Sequence, residues 1–241
     1  MSPEVTFGDY LLCLNFYRKL DEKKFRQLLE KVKPFATHNT SDLASLIEWM
    51  NQNGLAGDVV KWVDKLPTAR LNSPPPSVAV ADAYATVKNW SRLKRWTRIG
   101  SWADAEYLRL AYGAIAERHL RSRSGSRTNS EFETLWQSAD GLALSRPERE
   151  LTLARLATKW KLPNQAEDLW VRVEQNPTMH REALDNLRQL YRAKGETTKL
   201  YEVLQRLHES SPDEAPITAD LARLGLDLGE PLPELLGLRD H

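Results

Sequence analysis

The chain has a single cysteine among its 241 residues, Cys13, so it cannot form an intrachain disulfide or assemble a thiolate metal site. Charge of one sign is lacking too: Lys and Arg total 34 and Asp and Glu 33, a formal net charge of +1. That balance excludes a chain-wide attraction to nucleic acid or to a membrane surface, and any electrostatic argument has to be local. No apolar run approaches the ~20 residues of a membrane-spanning helix. The start, "MSPEVTFGDYLLCLNFYRK", is not a basic stretch followed by an apolar one, so no signal peptide is expected and a cytoplasmic location is. There is no glycine-rich loop to cradle a phosphate. The five histidines (His38, His119, His180, His208 and His241) have no partner at i+4 and no His-Glu spacing of the zinc type, and none adjoins a plausible nucleophile. The expectation is a non-enzymatic protein with no cofactor, no metal and no catalytic residue.

What is present is helical periodicity. Segments such as "SDLASLIEWMNQNG", "AEYLRLAYGAIAERHL" and "EALDNLRQLYRAKG" space apolar residues three and four apart, while alternating strand-like runs are nearly absent. The fold class read from this is all-α. Starts carry capping residues such as Ser41, Asn164 and Thr178. Two longer breaks, 68–77 with three consecutive prolines and 121–130 with "RSRSGSRTNS", read as loop insertions between helices.

The helices recur at a fixed period. With Gly195 as the turn between two helices, equivalent turns fall at Leu20, Gly54, Lys88, Leu162 and Gly229, with one more within 122–128. The intervals 20 to 54, 54 to 88 and 195 to 229 are 34 residues, and 162 to 195 is 33. Eight residues before the turns stand Leu12, Leu46, Val80, Ala154, Leu187 and Leu221; four before stand Phe16, Met50, Tyr84, Thr158, Tyr191 and Gly225. These two columns, one helical turn apart, mark a buried face on each first helix.

This 34-residue helix-turn-helix pattern resembles the tetratricopeptide repeat. The match is best over 183–212, where Ala183, Leu184, Asn186, Leu187, Tyr191, Gly195, Leu200, Leu204 and Pro212 stand at the family's characteristic positions. The other units depart from it, with Lys88 and Leu162 in place of the turn glycine. The resemblance implies one domain over 1–241: a right-handed superhelical solenoid of antiparallel helix pairs, about 6–7 repeats. It also implies a scaffold or adaptor that binds a protein or peptide on its concave surface, whose lining, carried over by position, would be Glu48, Asp82, Lys159, Asp185, Asn186, Gln189, Arg192 and Arg223. Asn186 matches an asparagine that in peptide-binding members hydrogen-bonds an extended peptide. The Lys/Arg/Asn set that would clamp a C-terminal carboxylate is not visible.

In this register Trp62, Trp96 and Trp170 lie eight residues past a turn and Trp136 lies 34 before Trp170, so the four read as one buried column. Trp90 and Trp102 read as braces at helix junctions, and Trp49 and Trp160 as candidates for partner contact. Between Lys88 and Arg127 ten basic residues face three acids, a local net of +7. Within it Arg92, Lys94, Arg95, Arg98, Arg118, Arg121 and Arg123 form a basic patch. Such a patch suits an acidic protein partner or, as the alternative function, nucleic acid or an anionic membrane surface contacted through residues 88–127. The leucine-rich end "ADLARLGLDLGEPLPELLGLRDH" suits self-capping or an oligomer contact.

Overall fold

A computed structural model of the chain describes residues 5–124 and 130–229. Among these the protein is all-α, with thirteen α-helices, two short 3-10 turns and no strand. No helix is long and apolar enough to cross a membrane. Two compact units divide at residues 142 and 143. The first holds α1 (Phe7–Leu20), α2 (Glu22–Ala36), α3 (Thr40–Gln52), α4 (Ala56–Val63), α5 (Pro76–Thr86), α6 (Trp90–Trp96), α7 (Glu106–Ser124) and α8 (Ser130–Ala143). The second holds α9 (Pro147–Lys159), α10 (Pro163–Val173), α11 (His180–Lys194), α12 (Thr197–Ser210) and α13 (Ala215–Leu228).

The repeat is written in the backbone of the turns. Gly54, Lys88, Lys161, Gly195 and Gly229 all adopt left-handed φ, between 54° and 81°. Each donates its N–H three residues back, to Asn51, Ala85, Thr158, Arg192 and Leu226 respectively. After the first four, the next residue donates five residues back: Leu55 to Met50, Asn89 to Tyr84, Leu162 to Ala157 and Glu196 to Tyr191, at 2.8–3.0 Å. This is the Schellman ending, which satisfies the last carbonyls of a helix and turns the chain into the next one.

These turns correct the register in the second unit. The left-handed residue is Lys161 rather than Leu162, so Lys161, Gly195 and Gly229 are evenly spaced. One and two helical turns before it stand Ala157 and Leu153, both fully buried, whereas Thr158 is exposed. Ala166 then falls in step with Phe25, Val59, Leu93 and Leu200, all buried. The first helix also departs from expectation. The Asp21 N–H donates to Tyr17, four residues back, so α1 meets its turn one residue short. Its covered face is the buried Leu14 with Tyr10, Leu11 and Tyr17 half-buried, while Leu12 and Phe16 are 66% and 62% exposed. Three capping residues shift as well: Asn39 caps α3 by accepting from Ser41 N–H, α10 begins at Pro163 after Leu162, and α11 follows Met179. The turn expected at 122–128 lies mostly outside the described residues.

Several long-range polar bonds join elements about one repeat apart. In the first unit Trp49 donates to Asn15, Arg18 to Asn53, Arg70 to the Thr37 carbonyl, and Arg92 to Asp64. In the second, Arg155 donates to Glu182, Lys199 to Glu167, Arg206 to Glu174, Arg181 to Glu214 and Arg192 to Asp220. All span 27 to 35 residues, so each rung ties an element to its counterpart one period away. The arginine and lysine bonds hold Glu182 and Glu214 below the usual carboxylate range. They do the same for Glu167 although its burial acts the other way.

Because a left-handed non-glycine residue costs about 1 kcal/mol, Lys88→Gly is expected to stabilise by about that much. Gly195→Ala should destabilise by a similar amount, and since nothing lies within 4 Å of a Cβ built there, the loss is one of backbone strain. Denaturant unfolding of both variants checks the signs.

Candidate partner-binding site

Several charges of the basic stretch are paired within the first unit. Glu117 of α7 is 2% exposed, and it pairs with Lys94 of α6 and, at 3.6 Å, with Arg121. Glu131 of α8 receives Arg121 at 3.0 Å and lies 3.8 Å from Lys94 and 3.9 Å from Arg98. Burial would raise the Glu131 pKa, but the Arg121 hydrogen bond and the Lys94 and Arg121 charges bring it below the ordinary value. Arg92 grips Asp64 through both terminal nitrogens, at 2.8 and 2.7 Å, and lies 5.5 Å from the Tyr84 ring centre. Arg118 sits over Phe132. Five of the seven predicted basic residues are thus committed to acids or a ring within the first unit. Arg95 is exposed, and the side chain of Arg123 lies outside the described residues. The acids Asp64 and Glu131 come from outside the 88–127 stretch, so a local charge count did not include them.

The tryptophans divide differently from the expected column. With the turn at Lys161, Trp170 falls nine residues past it, while Trp62 and Trp96 stay at eight. Trp96, Trp136 and Trp170 are buried, and Trp62 is half-buried beside Lys33. The Trp96 indole donates to the Ser77 carbonyl at 2.9 Å, and that of Trp170 to the Thr158 hydroxyl at 2.8 Å. Trp90 stacks on His119 at 4.0 Å, and Trp102 is fully buried. Trp49, expected as a contact residue, is buried against Phe25 with its N–H on Asn15. Trp160 remains half-exposed, with Lys159 5.7 Å from its ring centre.

The predicted groove residues fall into separate clusters. In the first unit, Tyr112 of α7 donates to Asp82 of α5 at 3.1 Å. Burial together with the Asp82 charge holds the phenol protonated. Glu48 of α3 is exposed overall, yet partial burial of its carboxyl, reinforced by the Asp82 charge, raises its pKa. In the second unit, Asp185 pairs with Arg181 and Arg188, and Arg192 and Arg223 share Asp220. Of the predicted groove residues, Asn186 and Gln189 line a cleft of about 400 Å³. The end of α9, the start of α10 and one face of α11 form it, with Ala166, Trp170 and Leu190 as its apolar wall. Asn186 donates its Nδ2 to the Glu182 carbonyl at 2.8 Å, which holds the amide in place and leaves Oδ1 as an acceptor. A second cleft, of about 590 Å³, runs between α2 and α4 past Lys33, Lys61, Lys65 and Trp62, and sequence reasoning did not mark it. Its one signal was Trp62, a large aromatic in a column whose other members are covered.

Among the described residues no group of three or more His, Cys, Asp or Glu is placed to hold a metal ion. No protein-family model matches the chain, and no curated protein matches it. The residues themselves therefore carry the functional reading.

Two outcomes follow for the first unit. Lys94→Met strands the buried Glu117 and should destabilise by about 2–3 kcal/mol, with Arg121 remaining as a partner; adding Glu117→Met should restore most of it. A double-mutant cycle by urea unfolding measures this. The raised Glu48 pKa means that the folded state holds its proton to higher pH than the unfolded chain, so ionisation costs stability as pH rises through the folded value. Glu48→Gln should raise the melting temperature near pH 7 and leave it unchanged below about pH 4, as read by thermal unfolding across pH.

Proposed function

We propose that the chain is a tetratricopeptide-like solenoid of antiparallel helix pairs that acts as a non-enzymatic scaffold, binding an extended or helical peptide of a protein partner. The evenly spaced left-handed turns at Lys161, Gly195 and Gly229 support the architecture. The cleft where Asn186 and Gln189 meet the wall of Ala166, Trp170 and Leu190 carries the functional reading. An anchored amide acceptor beside an apolar wall suits a ligand with backbone N–H groups and an apolar side chain. The cleft also takes in Lys161, so an acidic residue on the partner would find a counter-charge there. Nucleic-acid or membrane binding through residues 88–127 has less support, because Arg92, Lys94, Arg98 and Arg121 of that stretch already face Asp64, Glu117 and Glu131.

Selection of displayed ~12-residue peptides against the whole chain tests this. Enriched peptides should carry an apolar anchor, and their affinity should fall about tenfold for Asn186→Ala, the loss of roughly one hydrogen bond. Failure to enrich any sequence, or affinity indifferent to Asn186→Ala and Leu190→Glu, would remove the cleft from consideration.

A further inference from the structure

Helix α1 carries an apolar stripe on the side away from its core: Val5 just before it, then Leu12, Phe16 and Leu20, are 68%, 66%, 62% and 67% exposed. Leu12, Phe16 and Leu20 are four apart and lie along one line of the helix. The covered positions say what this face corresponds to. Tyr10, Leu11, Leu14 and Tyr17 of α1 have the spacing of the buried Leu43, Ala44, Ile47 and Met50 of α3, so Tyr17 and Met50 are equivalent, and so are their predecessors Phe16 and Trp49. In α3 that position faces the helix pair before it, with the Trp49 ring against Phe25 of α2 and its N–H on Asn15 of α1. One helical turn earlier, α3 buries Leu46 where α1 shows the exposed Cys13. Helix α1 thus presents outward the surface by which α3 docks.

We propose that a second copy of this chain covers the stripe, α1 packing against α1 in antiparallel orientation. The surface is self-complementary in that direction alone. Pairing about position 14 sets Leu12 level with Phe16 of the other copy, and Leu20 level with Gly8. A Cβ at Gly8 would meet only the Thr6 hydroxyl, so the site has room for a leucine. Asp9 comes level with Lys19 of the other copy, and both Thr6 bonds fall on Asp9 Oδ2, leaving Oδ1 for the lysine. A parallel pair would set Asp9 against Asp9 and Lys19 against Lys19. One helix stripe covers less than the ~800 Å² per partner of a standard interface, so a weak, concentration-dependent dimer is expected.

Sedimentation equilibrium of the whole chain from about 1 to 200 μM should show a monomer–dimer equilibrium. Phe16→Glu should weaken it at least tenfold with the far-UV circular dichroism unchanged, since Phe16 is exposed. Lys19→Glu, which places like charges together, should weaken it several-fold. A short bismaleimide should join two copies through Cys13, the chain's one thiol, and should fail to do so with Phe16→Glu. A chain that stays monomeric at about 200 μM without a Cys13 cross-link overturns the proposal. So does a dimer that survives Phe16→Glu, because it would be using another surface.

Discussion

The structure depends most on how α3, α5, α9 and α11 are closed. A left-handed residue ends α3, α5, α9, α11 and α13, and wherever a helix follows, the next N–H reaches back five residues to bind its last turn. This closure satisfies carbonyls that would otherwise be orphaned and sets the direction of the next helix. Spacing of 34 residues between such turns then returns the same helix faces to the same positions within each unit. The buried columns and the one-period rungs follow from that return.

The rungs explain why so many charges yield so little open surface potential. Glu167 takes Lys194 and Lys199, Glu174 takes Arg206, and Glu214 takes Arg181. The exposed pairs among these contribute little each, whereas Glu174 is buried; their common effect is to cancel charge locally and hold neighbouring elements in register. The same cancellation works at Glu117, where three helices bring Lys94, Arg121 and Glu131 together around one buried carboxylate. Asp64 and Glu131 then take two charges off a local net of +7 that already counts Glu117, so the stretch offers a partner less than its composition suggests.

Helix content, period and most turn positions were legible because they rest on local chemistry: apolar spacing, glycine at Gly54, Gly195 and Gly229, and proline at 163. The slip of one residue at Lys161 has a physical source. A left-handed position closed by two backbone hydrogen bonds tolerates lysine, so no glycine marks the place. That slip alone made Thr158 look buried in place of Ala157 and put Trp170 in step with Trp62. Of the candidate site, Asn186 and Gln189 were legible as neighbours on α11. The wall facing them was not, because Ala166 and Trp170 belong to α10, and only packing sets them opposite.

Phe16 and Trp49 show where the division falls. The sequence by itself determined that both are large apolar residues near the end of a first helix, because amphipathic spacing is a property of a single helix. Only the tertiary structure decided that Trp49 is covered and Phe16 is open, since burial depends on what the neighbouring element supplies, here Asn15 and Phe25 for Trp49. The basic residues follow the same rule. Their number and spacing belong to the chain, while their electrostatic meaning was set by Asp64, Glu117 and Glu131, brought in from other helices by the fold.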